Sequence, residues 1–150
     1  MKNAIALENI RSVYNVWNII RTADTLGFDV ILLGYTPWKE NKKLLKTSLW
    51  AEENVNLKKF YNVKKWSDYI KKTYKTLIAW EITDDAISIY DIKKYIQKPS
   101  CIIFWNEVNG VSLETLALVD KVSFIPMEWI KESLNVCEAA SIFMYEIKRK

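Results

Sequence analysis

Residues 4–34 read AIALENIRSVYNVWNIIRTADTLGFDVILLG and decide the fold, because they contain a strand, a helix and a second strand in succession. The apolar run Ala4–Leu7 predicts the first strand. Apolar residues recur at helical spacing over Val13–Leu26, which predicts a helix that Gly27 ends in a left-handed conformation. The apolar run Val30–Leu33 predicts the second strand. A strand–helix–strand unit of this kind is typical of a parallel sheet.

The same alternation continues along the rest of the chain. After a long polar loop over residues 35–50, Ser67 is expected to cap a helix that runs to Tyr74, and Ser133 to cap the final helix. Further strands are predicted at Val55–Phe60, Thr76–Trp80, Cys101–Trp105 and Val122–Ile125, and a short helix at Leu113–Val119. The pattern predicts an α/β domain with a mostly parallel sheet flanked by helices. Ligands of such sheets bind beyond the carboxyl ends of the strands.

Composition excludes several kinds of chemistry. The 150 residues include no histidine, which rules out Ser-His-Asp and Cys-His catalysis and imidazole zinc sites. The two cysteines, Cys101 and Cys137, are too few for a four-thiolate site, so no metal is expected. Both are predicted to be buried, reduced thiols. No apolar run reaches the ~18 residues of a membrane span, and the N-terminus lacks a signal peptide. A cytoplasmic protein without a membrane partner is therefore expected.

Positive charge is concentrated in the middle of the chain. Residues 39–75 contain 11 lysines and four acidic residues, a net charge of +7, with Tyr61, Tyr69 and Tyr74 interleaved. A polyanion such as RNA would be held there through its phosphates. A solvated lysine face is the alternative interpretation of the same pattern.

Four stretches carry a family resemblance. The first motif is NIRSVYNVWNIIRTAD at 9–24, the second is IFWNEVNGV at 103–111, and the third is IPM at 125–127 followed by SLNV at 133–136. The fourth stretch, KTSLWAE at 46–52, lies between the first and second motifs. In order and spacing they resemble the motifs of the SpoU/TrmH branch of the SPOUT RNA methyltransferases, and the resemblance covers nearly the whole chain. It implies an α/β fold whose C-terminal part forms a trefoil knot that binds S-adenosylmethionine. It also implies a homodimer that methylates a ribose 2′-hydroxyl of tRNA or rRNA.

The resemblance also implies roles for individual residues. The catalytic set is Arg21, Asn15 and Glu107. The cofactor set is Trp80, Trp105, Asn106, Ile125, Met127, Ser133, Leu134 and Asn135. Positive charge, rather than the resemblance, gives the RNA-binding set, which is Arg11, Lys39, Lys42, Lys43 and Lys46. Residues 1–150 are expected to form one methyltransferase domain without the N-terminal RNA-binding domain of many relatives.

The chemistry of the catalytic set can be considered further from the sequence. Arg21 stays protonated at ordinary pH, so it is better suited to gripping a phosphate and stabilising a developing alkoxide than to accepting a proton. Asn15 and Arg21 are six positions apart on one helix and do not share a face. We therefore expect the helix start to bend or the preceding strand to contribute Asn15. Glu107 is expected to hold Asn15 or the third motif by a hydrogen bond.

Tryptophan replaces glycine at several motif positions. The chain has 7 tryptophans and 3 glycines, where average usage predicts about 10 glycines. Trp17, Trp50, Trp105 and Trp129 all fall where the family has glycine. One hypothesis is that UGA codons read as glycine have been rendered as tryptophan, which UGG codons at Trp17 and Trp105 would refute. If the tryptophans are genuine and block the cofactor, the alternative function is a catalytically inactive RNA-binding dimer.

Overall fold

A computed structural model describes residues 2–37, 55–105, 110–128 and 134–149. Its strands are β1 (Ala4–Glu8), β2 (Asp29–Leu33), β3 (Leu57–Phe60), β4 (Thr76–Trp80), β5 (Ile87–Ser88), β6 (Ser100–Trp105) and β7 (Lys121–Phe124). Its helices are α1 (Val13–Leu26), α2 (Val63–Thr73), α3 (Leu113–Leu116) and α4 (Val136–Lys148), with a 3-10 helix at Ile89–Lys94.

The seven strands form one sheet in the order β3-β2-β1-β6-β4-β7-β5. Every strand pair among the described residues is parallel. Glu8, the last residue of β1, lies beside Leu33 of β2 and Trp105 of β6. The carboxyl ends of these strands therefore meet at one edge, as predicted for a mostly parallel α/β sheet.

Helix α1 has the bounds that the sequence predicts. The Ser12 hydroxyl accepts a hydrogen bond from the Asn15 backbone N–H at its start. Gly27, at φ 69°, ends it and donates its N–H to the Ala23 and Asp24 carbonyls. Because both caps and the apolar period are local, the sequence alone is enough to specify this element.

Two predicted caps are wrong. Helix α2 begins at Val63, and its N-cap is Asn62, whose side chain accepts from the Lys65 N–H. Ser67 lies within that helix and donates its hydroxyl to the Lys64 carbonyl. Asparagine is as good an N-cap as serine. A serine close to a predicted helix start therefore does not by itself identify the capping residue.

The second wrong cap is that of the final helix. Helix α4 begins at Val136, and the capping side chain is Asn135, which accepts from the Cys137 N–H at 2.8 Å. Ser133 was expected in this role and lies outside the described residues. The predicted short helix over Leu113–Val119 is also shorter, since α3 ends at Leu116.

The two faces of the sheet bury separate apolar clusters. One cluster holds α1 and α4 against the sheet, with the Phe143 ring edge-on to Phe104 at 5.6 Å. The other is covered by α2, whose Trp66 is fully buried. Cys101 is buried as predicted, but Cys137 is only half buried, so that part of the prediction is wrong. No helix in the described part of the chain is long and apolar enough to cross a membrane.

Candidate functional site

The candidate site lies at the carboxyl edge of the sheet, around the ends of β6 and β4. Trp105 and Trp80 are the last residues of these strands, and their rings stack with centroids 6.1 Å apart and an interplanar angle of 28°. Trp105 is only 6% exposed, whereas Trp80 is half buried. Both were predicted to line a cofactor site, and the fold brings them together.

A second contact joins the first motif to the third. The Asn135 side-chain amide donates to the Asn15 side-chain oxygen at 3.4 Å, although 120 positions separate them. Asn15 is buried, while Asn135 is exposed at the start of α4. The start of α4 is thereby positioned over the start of α1.

Arg21 lies on a different face of α1 from Asn15. Its guanidinium is exposed and packs over the Trp17 ring, 5.3 Å from the centroid. The inference that the two residues do not share a face is confirmed. The expectation that the preceding strand contributes Asn15 is wrong, because α1 is continuous from Val13 and includes Asn15.

Other predicted cofactor residues flank the Trp80 end of the site. Trp80 pairs with Ser123 of β7, so Ile125 follows two residues beyond that pair. Ile125, Leu134 and Trp80 are half buried and pack against the same core cluster. Met127 is half buried in the same segment as Ile125. Together these residues offer an apolar surface at the sheet edge.

Several predicted residues lie outside the described ranges. These are Asn106, Glu107 and Ser133 of the site, the lysines Lys39, Lys42, Lys43 and Lys46, and the tryptophans Trp50 and Trp129. Arg11 is described: it is exposed just beyond β1, with its guanidinium 5.8 Å from the centre of the Tyr35 ring.

Ser112, Thr115 and Glu8 form a buried chain of hydrogen bonds that the sequence does not predict. The Thr115 hydroxyl donates to a Glu8 carboxyl oxygen at 2.8 Å, and the Ser112 hydroxyl donates to Thr115 at 2.9 Å. Glu8 is 3% exposed and Thr115 is fully buried. This chain fastens the start of α3, which closely follows the second motif, to the end of β1. An acidic residue ending the apolar run AIALE is the signal that could have indicated it.

A groove of about 940 Å³ runs between α1 and α4. Arg21 and Cys137 line it, together with Leu26, Ile89, Tyr90, Ile142 and Tyr145 among others. Tyr90, Ile142 and Tyr145 are 72%, 40% and 63% exposed. The groove therefore combines Arg21 of the first motif, and the acidic residues Glu138 and Glu146, with exposed apolar side chains.

A positive backbone φ at Trp17 or Trp105 would favour glycine over tryptophan. Among the described residues, Asn9 is the non-glycine residue with positive φ, so neither tryptophan occupies the left-handed region. The Trp17 indole N–H is nevertheless buried, and the described part of the chain gives it no hydrogen-bond partner. The Trp66 indole N–H, in the core beneath α2, is buried in the same way, so this feature does not distinguish Trp17 from a core tryptophan.

The architecture and the site define a class: an α/β domain with a parallel sheet whose candidate ligand residues cluster at the strands' carboxyl edge. The SpoU rRNA Methylase family profile matches residues 2–145, and the chain belongs to this family within the SPOUT superfamily. It is 28% identical over 148 residues to the tRNA (guanosine(18)-2′-O)-methyltransferase of Escherichia coli K12. The match covers 97% of this chain and 62% of that protein, so the chain spans less than two thirds of that relative.

Solved structures share the fold. An AdoMet-bound rRNA methyltransferase from Sinorhizobium meliloti superposes with a TM-score of 0.89 at 23% identity, covering 99% of this chain and 56% of that one. A structure described as giving insights into the 2-OH methylation of C/U34 on tRNA superposes with a TM-score of 0.83 at 22% identity. That match covers 99% of this chain and 95% of that one.

Proposed function

We propose that this protein transfers a methyl group from S-adenosylmethionine to a ribose 2′-hydroxyl of tRNA or rRNA. The observation that carries the proposal is the family match over residues 2–145, with relatives that are named as tRNA 2′-O-methyltransferases. Residues 1–150 would form one methyltransferase domain, with the C-terminal part threaded as a trefoil knot. RNA substrates of this kind would make the protein cytoplasmic.

The residues at the carboxyl edge suit an adenine-bearing cofactor. The half-buried Trp80, Ile125 and Leu134 supply an apolar surface, and the Asn135–Asn15 pair supplies amides beside it. We assign cofactor contacts to the predicted set, which also includes Trp105, Asn106, Met127 and Ser133. S-adenosylmethionine, when bound, supplies a methyl group on a reactive sulfonium. No metal is needed for this chemistry.

The protein's own residues would bind and orient the substrate. Arg21 would hold a phosphate and stabilise negative charge at the 2′-oxygen, because a guanidinium remains protonated and presents several donors. Asn15 and Glu107 would orient neighbouring side chains of the site by hydrogen bonds. RNA phosphates would be neutralised by Arg11, Lys39, Lys42, Lys43 and Lys46. Since the chain has no histidine, the hydroxyl proton would leave to a substrate phosphate or to water.

A homodimer is the second part of the proposal. The groove between α1 and α4 exposes Ile142, Tyr90 and Tyr145, which a second copy would cover. Arg21 would then lie at the interface. Ile142→Glu should convert the dimer to a monomer in sedimentation analysis. Leu113→Glu is the matched control, because Leu113 is 81% exposed and does not line the groove.

Calorimetric titration of S-adenosylmethionine tests the cofactor assignment. The chain as written is compared with a variant that carries glycine at positions 17, 50, 105 and 129. Binding by the glycine form alone supports the methyltransferase and makes the tryptophans steric blocks. Binding by both forms supports it with the tryptophans tolerated. A folded glycine form that does not bind rejects the enzyme and favours the inactive RNA-binding dimer.

A further inference from the structure

Cationic and aromatic side chains are paired along the edge where β1, β2 and β3 end. Arg11 lies 5.8 Å from the Tyr35 ring centre, and the Lys59 ammonium lies 5.2 Å from that of Tyr61. Tyr35 and Tyr61 are 52% and 72% exposed. Their rings therefore present much of their surface to solvent beside a positive charge.

The strand register places these two tyrosines at neighbouring positions. Leu33 pairs with Phe60 across β2 and β3. Tyr61 follows Phe60 directly, and Tyr35 follows Leu33 by two residues. The Lys59 ammonium, which lies against the Tyr61 ring, also donates to the carbonyl of Thr36, the residue after Tyr35. Both tyrosines therefore belong to one patch of the sheet edge.

The backbone that carries Tyr35 is fixed before any ligand binds. The Tyr35 N–H donates to the Asn9 side-chain oxygen at 3.3 Å. Gly34 has a φ of 69°, and a Cβ there would lie 1.9 Å from that same oxygen, so the close approach requires glycine. The buried Thr36 hydroxyl donates to the Leu33 carbonyl at 2.8 Å and accepts from the Ile10 N–H at 3.1 Å. A rigid tyrosine platform loses little conformational entropy when it binds.

The segment that carries Tyr61 has only positive charge. Residues 57–65 read LKKFYNVKK and contain four lysines and no acidic residue. Exposed rings on which bases stack, beside cations that neutralise phosphates, are what single-stranded nucleic acid requires of a protein. A merely solvated lysine face would not require two tyrosines on a fixed edge.

We propose that Tyr35 and Tyr61 form a stacking platform for two unpaired bases of the RNA substrate, with Arg11 bound to an adjoining phosphate and Lys59, which donates to the Thr36 carbonyl, adding positive charge beside Tyr61. This inference rests on the proposed function and deepens it, because it makes the substrate single-stranded beside the target ribose. Strand β1 separates β2 from β6, so the platform begins two strand spacings, about 10 Å, from the strand of Trp105. The stacked bases would therefore be close neighbours of the methylated nucleotide.

The test measures the affinity of a fluorescein-labelled single-stranded octauridine and of a duplex of equal length. Tyr61→Ala and Tyr35→Ala should each weaken single-strand binding roughly 5- to 150-fold, the range of one lost stacking contact, and should affect the duplex little. Tyr61→Phe should restore binding, since the ring is retained. Arg11→Gln should lower the salt dependence of log K by about 0.7, whereas Tyr61→Ala should leave it unchanged.

Tyr95→Ala is the matched control variant. Tyr95 is 43% exposed and pairs with Lys121 at 5.5 Å, but Lys121 begins β7 at the opposite edge of the sheet. An equal loss in Tyr95→Ala and Tyr61→Ala would overturn the platform. So would an unchanged affinity in the Tyr35→Ala, Tyr61→Ala double variant, which would indicate a protein-contact surface instead. Failure of the parent chain to bind the octauridine would overturn it as well.

The outcomes also separate this inference from the proposed function. S-adenosylmethionine affinity should be unchanged in the tyrosine variants. A chain that loses RNA binding in Tyr61→Ala but never binds the cofactor retains the platform and rejects methyl transfer. A chain that transfers methyl groups with an unchanged KM for RNA in both tyrosine variants retains the enzyme and rejects the platform.

Discussion

Thr115→Val removes the hydroxyl that binds Glu8 and leaves the volume of the side chain nearly unchanged. The hydroxyl donates to a Glu8 carboxyl oxygen at 2.8 Å, and both residues are buried. Leaving one buried polar group unpaired costs about 1–3 kcal/mol. For a chain of this size, each kcal/mol lowers Tm by roughly 2–4 °C, so a fall of about 2–12 °C is expected.

A double-mutant cycle with Glu8→Gln isolates the pair. Residues in direct contact show a coupling energy of about 0.5–3 kcal/mol, measured here by urea denaturation of the parent, both single variants and the double variant. Thr73→Val is the matched control, since the Thr73 hydroxyl donates to the Tyr69 carbonyl within α2. Additivity of Thr115→Val and Glu8→Gln within about 0.3 kcal/mol would refute the pair.

The same variant tests the functional role of the chain from Glu8 to α3. Because the start of α3 closely follows the second motif, loss of this hydrogen bond should weaken S-adenosylmethionine binding measured by calorimetry. Thr73→Val should bind as tightly as the parent. Equal cofactor affinity in Thr115→Val, once its stability loss has been measured, would show that this contact serves the fold alone.

Three further predictions concern other elements. Asn135→Ala should destabilise the protein by about 1 kcal/mol through loss of the α4 cap, whereas Asn135→Asp should retain the cap; thermal unfolding compares them. Burial raises the pKa of the Cys101 thiol, so iodoacetamide at pH 8 should leave Cys101 unmodified in the folded protein, and mass spectrometry should find any adduct on the half-buried Cys137. The Arg149 guanidinium lowers the pKa of the Glu146 carboxyl by a hydrogen bond. Their stabilising contact should therefore be present at neutral pH and lost as the pH falls through that pKa. NMR titration of Glu146 measures this pKa.

Local signals explain why much of the fold was predictable. The bounds of α1 were correct because Ser12, Gly27 and the apolar period all lie within a few residues of one another. The strand Thr76–Trp80 was likewise given by a short apolar run. The predicted N-caps of α2 and α4 were wrong because asparagine and serine side chains offer the same hydrogen bond, and only the folded backbone selects between them.

The candidate site was less predictable because its contacts join distant parts of the chain. Asn15 meets Asn135 across 120 positions, and Glu8 meets Thr115 across 107. The Trp80–Trp105 stack depends on β4 and β6 being neighbours in the sheet, which alternation of strands and helices does not specify. The family resemblance predicted which residues form the site, and the fold shows which of them lie close together.

Methyl transfer itself is the most direct test of the account. The chain, with and without glycine at positions 17, 50, 105 and 129, is incubated with unmodified tRNA and rRNA and with S-adenosylmethionine labelled in its methyl group. Digested nucleosides are then analysed by mass spectrometry. We expect label on a ribose 2′-oxygen in at least one of the two forms, and its loss in Arg21→Ala. Label on a base, or no label from either folded form, would contradict the proposed function.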